Sequence, residues 1–137
     1  MKSIYLEKTA PYILGISAML LCWRAGLHLP ENNDILSSSL TLGAILTGFL
    51  ATAKAILMTL DSPIMQRLRE TDYIASIVSY LSHSIWLSFS FCILTLVGFF
   101  VDNREMLFGI SWIGLGVTTA GAFIRVTNIM LKIIQQR

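Results

Sequence analysis

The chain has 137 residues, of which 55% are hydrophobic and only 13% charged, with a formal net charge of +2 and a mean hydropathy of +0.70. This composition excludes an ordinary soluble domain and indicates a membrane protein. Asp, Glu, Lys and Arg are absent from residues 35–53, 73–101 and 106–124, runs of 19, 29 and 19 residues, and about 20 apolar residues suffice for a helix to cross the hydrocarbon core.

In chain order, the first span is expected over 10–29. Arg24 interrupts it only near its far end, where a long side chain reaches the headgroups. The apolar run YILGISAMLLCW carries no A-x-A site, and Leu21 precedes Cys22 where a lipoprotein cleavage site would not normally tolerate it. The segment therefore reads as a helix and not as a cleaved leader. The turn HLPENND leads into a second span over 36–60, whose Ala44, Gly48, Thr52 and Ala55 or Ile56 form a face of small residues.

Between the second and third spans lies DSPIMQRLRETDY, residues 61–73, with five of the eighteen charged side chains. Asp61 or Ser62 can cap a new helix with Pro63 in its first turn. Ile64, Met65 and Leu68 then point to lipid or the bundle, Gln66, Arg67 and Glu70 to water, and Thr71 or Asp72 caps the next helix. The result is an amphipathic elbow over 61–72. The third span is expected over 73–101 and the fourth over 106–131, joined by DNRE. The fold class is thus all-α, a single domain of four transmembrane helices in an antiparallel bundle. The short outer loops should make the first and second helices neighbours, and likewise the third and fourth.

Four spans put both termini and the elbow on one side. That side collects Lys2, Lys8, Lys54, Arg67, Arg69, Arg125, Lys132 and Arg137 against Arg24 and Arg104 on the other, so it is cytoplasmic. Tyr5, Tyr12, Tyr73 and Tyr80 fall in the cytoplasmic halves as interface anchors. The chain is placed in the bacterial inner membrane.

Polar groups within the spans supply the candidate sites. In the third helix Asp72, Ser76, Ser79, His83, Trp86 and Ser90 recur at spacings of 4, 3, 4, 3 and 4, one helical face whose polarity suggests burial in the bundle. Such a face is either a water-lined or proton-conducting path with His83 as its titrating group, or a set of hydroxyls bonded to their own i−4 carbonyls with His83 bonded between helices. In the fourth helix Gly114, Thr118, Gly121, Arg125 and Asn128 follow the same rhythm. Gly48, Gly114 and Gly121 are expected to allow close packing, within one chain and between copies of a homo-oligomer. Lys54 and Arg125, two turns inside the cytoplasmic boundary, are snorkelling anchors or a cationic vestibule that binds anionic lipid or passes anions. Trp23 and Trp112 read as packing or interface residues of the outer half. Cys22 and Cys92, both in apolar spans, read as small hydrophobes. No acid lies well inside a span, which argues against a proton-coupled multidrug exporter. The chain also carries no Ser, His and acid set, metal-ligand cluster or phosphate-binding glycine loop, so neither catalysis nor a cofactor is expected.

The run RLRETDYIASIVSYLSHSI, following a helix that ends AILMTL, resembles the cytoplasmic elbow of small four-span anti-phage membrane proteins. Arg69, Glu70, Tyr73 and Ser76 resemble the matching stretch of RexB-like phage-exclusion proteins. The size and four-span layout are similar to the KwaA family, the membrane subunit of the Kiwa defence system. The Kiwa resemblance implies a tetrameric membrane sensor that recruits a soluble cytoplasmic partner, a KwaB-like DNA-binding protein, without touching nucleic acid itself. The exclusion-protein resemblance implies an ion channel that depolarises the inner membrane. The expected function is therefore the sensor or scaffold subunit of a defence system, docking its partner through Arg67, Arg69, Glu70 and Asp72. The alternative is a pore lined by Ser76, Ser79, His83 and Ser90 or by Lys54 and Arg125.

Overall fold

In hydrocarbon a backbone N–H has no partner but the carbonyl of its own helix, so long charge-free runs fold as helices. The computed structural model describes residues 2–26, 33–59, 73–101 and 106–135. These residues are all-α, forming α1 (Lys2–Ala25), α2 (Asp34–Thr59), α3 (Tyr73–Gly98) and α4 (Met106–Gln135). Asp34–Thr59, Ile74–Gly98 and Met106–Leu131 are long and apolar enough to cross a membrane, whereas α1 is not among them. Its charged first turns, Pro11 and Arg24 dilute an otherwise apolar sequence. The elbow, with Arg67, Arg69, Glu70 and Asp72, lies outside the described residues.

Helix ends follow local chemistry. Gly26 adopts φ 58°, a left-handed conformation that glycine takes without a Cβ penalty. Its N–H donates to the Trp23 carbonyl at 3.3 Å, closing α1 four residues before the apolar pattern ends. At the start of α2 the Asn33 carbonyl accepts from the Ser37 N–H at 2.9 Å, and Asp34 sits in the first turn, where a carboxylate suits the helix dipole. Beyond Gly98, Phe99 and Phe100 donate to Leu96 and Val97 at 3.1 and 2.9 Å, the tightened turn common at helix ends.

α1 packs on α4, α4 on α3, and α3 on α2, with no comparable interface between α1 and α2. This differs from the expectation that α1 and α2 are neighbours. Small residues decide it. A Cβ on Gly15 would collide with Thr118 Oγ1 and lie 3.0 Å from the Gly114 carbonyl oxygen, so α1 approaches α4 to backbone contact. A Cβ on Gly114 would meet the Met19 side chain, with Sδ at 2.9 Å, and one on Gly121 would lie 3.4 Å from Pro11 Cβ. Contacts that run from Pro11–Gly121 to Met19–Gly114 make α1 and α4 antiparallel. The Gly98–Phe108 approach and the Trp112–Thr95 and Thr119–Leu87 hydrogen bonds show the same for α3 and α4.

Two apolar clusters hold α2, α3 and α4 at opposite ends. Leu36, Phe91, Phe108 and Trp112 form one, and Leu50, Ile77, Leu81 and Val126 form the other. In the first, the buried Trp112 Nε1–H donates to Thr95 Oγ1 at 3.0 Å, and Thr95 in turn donates to the Phe91 carbonyl at 2.7 Å. Cys22 and Cys92 are free and buried.

Candidate functional site

The polar stripe of α3 is not buried within the chain. Ser76, Ser79, His83, Trp86 and Ser90 are all exposed, Trp86 by 68%. The buried face lies beside it, on Ile77, Leu81, Ser84, Ser88, Thr95 and Gly98, which follows the same helical rhythm. Its small members let α2 and α4 come close, and that packing outweighs the polarity of the neighbouring stripe. Carbonyl bonding of the expected kind occurs on α3 from Ser82 to Val78 at 2.8 Å and from Ser84 to Tyr80 at 3.0 Å.

Two stripe residues nevertheless join a site. A cavity of about 330 Å³ opens between α1, α3 and α4, with Tyr12 and Pro11 from α1, Ser79, Tyr80 and His83 from α3, and Arg125 from α4 among its walls. The 79, 80 and 83 positions can line one groove because, at about 100° per residue, they fall within about 100° of arc on the helix. The Tyr12 hydroxyl is hydrogen-bonded to His83 Nε2, with the two rings 5.9 Å apart and edge to face. With the imidazole proton on Nδ1, tyrosine is the donor. This bond bridges α1 and α3 across the cavity.

Arg125 is the electrostatic centre. Its Cζ stands 4.2 Å from the centroid of the Tyr80 ring, and its Nε is buried without a hydrogen-bond partner among the described residues. A desolvated cation–π contact is worth about 2 kcal/mol, while an arginine at the centre of a membrane helix costs about 2.5–3.5 kcal/mol on insertion scales. The aromatic ring offsets part of that cost, and among the described residues no carboxylate is paired with the charge. A second cavity of about 280 Å³ lies between α1 and α4, sharing Pro11 and Arg125 and otherwise lined by Asn128 and apolar side chains such as Leu14, Ile124 and Ile129.

The other candidates are dispersed. Lys54 is half-buried on α2 and lines neither cavity, so one chain does not bring it together with Arg125. Ser76 and Ser90 lie on α3 outside both cavities. Gly114 and Gly121 face α1, whereas a Cβ on Gly48 would meet nothing within 4 Å. Within the chain, Gly48 is therefore not a packing residue. Tyr12 and Tyr80, read as interface anchors, are the site residues that sequence reasoning missed. The signal was the spacing of Tyr80 next to Ser79 and three residues before His83. Gly15 and Gly43 were also passed over, though a Cβ on Gly43 would lie 2.7 Å from Cys92 Sγ. Comparison of the chain with protein-family models, with curated proteins and with solved structures gives no match.

Proposed function

We propose that the chain is a multi-pass membrane protein that senses or scaffolds within the bilayer as the membrane subunit of a larger assembly, without catalysing a reaction. The observation that carries this reading is the distribution of apolar surface. Ile13, Ile16 and Leu21 of α1, Leu42 and Ile45 of α2, and Ile124 of α4 are each exposed by more than half. Apolar surface on this scale requires lipid or protein cover. α1 belongs in the same layer, because its residues 11–19 lie against 114–121 in the middle of the α4 apolar segment. Four crossings then place both ends with the larger group of basic residues, in the cytoplasm.

The exposed small-residue face of α2, at Ala44, Gly48 and Thr52, suits self-association into a homo-oligomer. The elbow, through Arg67, Arg69, Glu70 and Asp72, suits docking of a soluble partner. A role in anti-phage defence, in a Kiwa-like or RexB-like protein, is supported by the resemblance of residues 67–85 and by the layout alone. Single cysteines test the topology. His28→Cys, Met65→Cys and Asn103→Cys, in a Cys22→Ser and Cys92→Ser background, are treated with an impermeant maleimide. Positions 28 and 103 are expected to react from outside and position 65 only after permeabilisation. Labelling of position 65 in intact cells overturns the reading.

One observation favours a pore as the second reading. The exposed Ser76 and Ser90, together with Ser79 and His83 of the same stripe, could line a central path between copies of the chain. Conductance in planar bilayers separates the two, since a folded oligomer that passes no ions when activated eliminates the pore.

A further inference from the structure

We propose that the cavity between α1, α3 and α4 binds the phosphate headgroup of an anionic lipid, with an acyl chain lying in the adjoining α1–α4 groove. This deepens the membrane reading above and rests on it; the cysteine labelling tests that reading separately. Three observations converge. Arg125 brings a cation that no carboxylate neutralises among the described residues, and its Nε is buried without a partner. The guanidinium carbon stands over the Tyr80 ring, which offers no oxygen lone pair to its N–H groups, so an oxyanion can take them. Neutral polar groups of the kind that complete a phosphate site share the cavity, with the Ser79 hydroxyl and His83 on α3 and the Tyr12 hydroxyl, bonded to His83, on α1.

Shape points from a free anion to a lipid. The two cavities share Pro11 and Arg125 and both have largely apolar walls, with Leu87, Ala122 and Val126 in the first and Leu14, Ile124 and Ile129, beside Asn128, in the second. A phosphate alone has no use for that groove, whereas an amphiphile fills both at once. Depth agrees as well. Arg125 precedes the end of the apolar segment at Leu131, and a rise of 1.5 Å per residue puts it about 9 Å inside. A side chain of that length reaches toward headgroups. Because Tyr12 and His83 form the bridge between α1 and α3, a headgroup seated there also fixes how α1 stands against α3.

Native mass spectrometry of the detergent-solubilised full chain, titrated with phosphatidylglycerol, phosphatidylcholine or inorganic phosphate, tests the proposal. Phosphatidylglycerol is expected to bind at least tenfold more tightly than phosphatidylcholine. Arg125→Gln is expected to lose at least tenfold in phosphatidylglycerol affinity, about 1.4 kcal/mol. Arg125→Lys, which keeps the charge but not the planar fork, should fall between. Equal affinity for the two lipids, or an Arg125→Gln protein that elutes folded and binds as before, overturns the proposal. Binding of inorganic phosphate as tight as that of phosphatidylglycerol, and lost with Arg125→Gln, overturns the lipid assignment in favour of a free anion. Should Arg125→Gln fail to fold, the pair Tyr12→Phe and Ser79→Ala decides instead. It removes the Ser79 donor and the Tyr12–His83 bridge and keeps the apolar contacts, so a loss of about threefold or more is expected and unchanged affinity is contrary.

Discussion

Replacing Gly15 by alanine probes the contact on which the site depends, because the absence of a Cβ at Gly15 is what lets α1 lie against Gly114 and Thr118 of α4. The new Cβ would overlap Thr118 Oγ1, lie 3.0 Å from the Gly114 carbonyl oxygen and 3.3 Å from Thr118 Cβ. The hydroxyl is already held, donating to that same Gly114 carbonyl at 2.8 Å. The backbone atom cannot rotate away, so the helices must part. Overpacking of this kind costs about 1–3 kcal/mol, against a gain of about 0.5–1 kcal/mol from replacing glycine within a helix. The net expectation is a loss of about 1–2 kcal/mol, read by SDS-induced unfolding in mixed micelles. Thr118→Ala removes the nearer obstacle and leaves the carbonyl, so it should relieve part of the loss. A double-mutant cycle should then give a coupling of about 1 kcal/mol, within the usual range for touching residues. A Gly15→Ala protein as stable as the parent, or the absence of coupling to Thr118, would refute this packing.

Other substitutions follow from the same contacts. Thr95→Val leaves the buried Trp112 N–H without its acceptor and should cost about 1–3 kcal/mol, and a cycle with Trp112→Phe, which removes the donor, should show a coupling of about 1 kcal/mol; additive losses in the same unfolding assay would contradict this. Tyr80→Leu removes the aromatic face over Arg125, and a cycle with Arg125→Gln should show a coupling of about 0.5–2 kcal/mol; additivity of the two losses would discount the cation–π contact. Gly48→Ala, with open space around its Cβ, should leave the unfolding free energy unchanged or raise it by up to about 1 kcal/mol. Gly48→Leu should reduce the oligomer mass seen by light scattering if that face joins copies of the chain, and an unaltered mass would remove it from the interface.

The helices were legible because charge is excluded from hydrocarbon. The expected spans 36–60, 73–101 and 106–131 fall close to Asp34–Thr59, Tyr73–Gly98 and Met106–Gln135. Charge marks the edge of the hydrocarbon, though, and not the end of a helix. That is why α1 starts at Lys2 and α4 runs on to Gln135, past the charges that bounded the expected spans. Neighbours were less legible. A short link brings only the ends of two helices together, and eight residues of chain can span at most about 26 Å. This is enough for α1 to reach α4, where Gly15 fits against Gly114 and Thr118.

The polar residues of α3 posed a harder problem, since Ser76, Ser79, His83 and Ser90 and the buried Ser84, Ser88 and Thr95 follow the same rhythm on adjacent faces. Only the partner helices show which face is covered. For the same reason Arg125 was recognisable as a half-membrane cation, while its company was not. Tyr12 and Tyr80 look like ordinary interface tyrosines until α1 is folded onto α4.

The seating of α1 on α4 is what creates the cavity around Arg125, and a disulfide tests it most directly. A Cβ at position 121 lies 3.4 Å from Pro11 Cβ, close to the 3.5–4.5 Å that a disulfide requires. The Pro11→Cys and Gly121→Cys pair, with Cys22 and Cys92 replaced by serine, should cross-link within one chain when native membranes are oxidised. Failure of this pair to cross-link, while an Ile16→Cys and Ile45→Cys pair joining α1 to α2 does so, would contradict the arrangement.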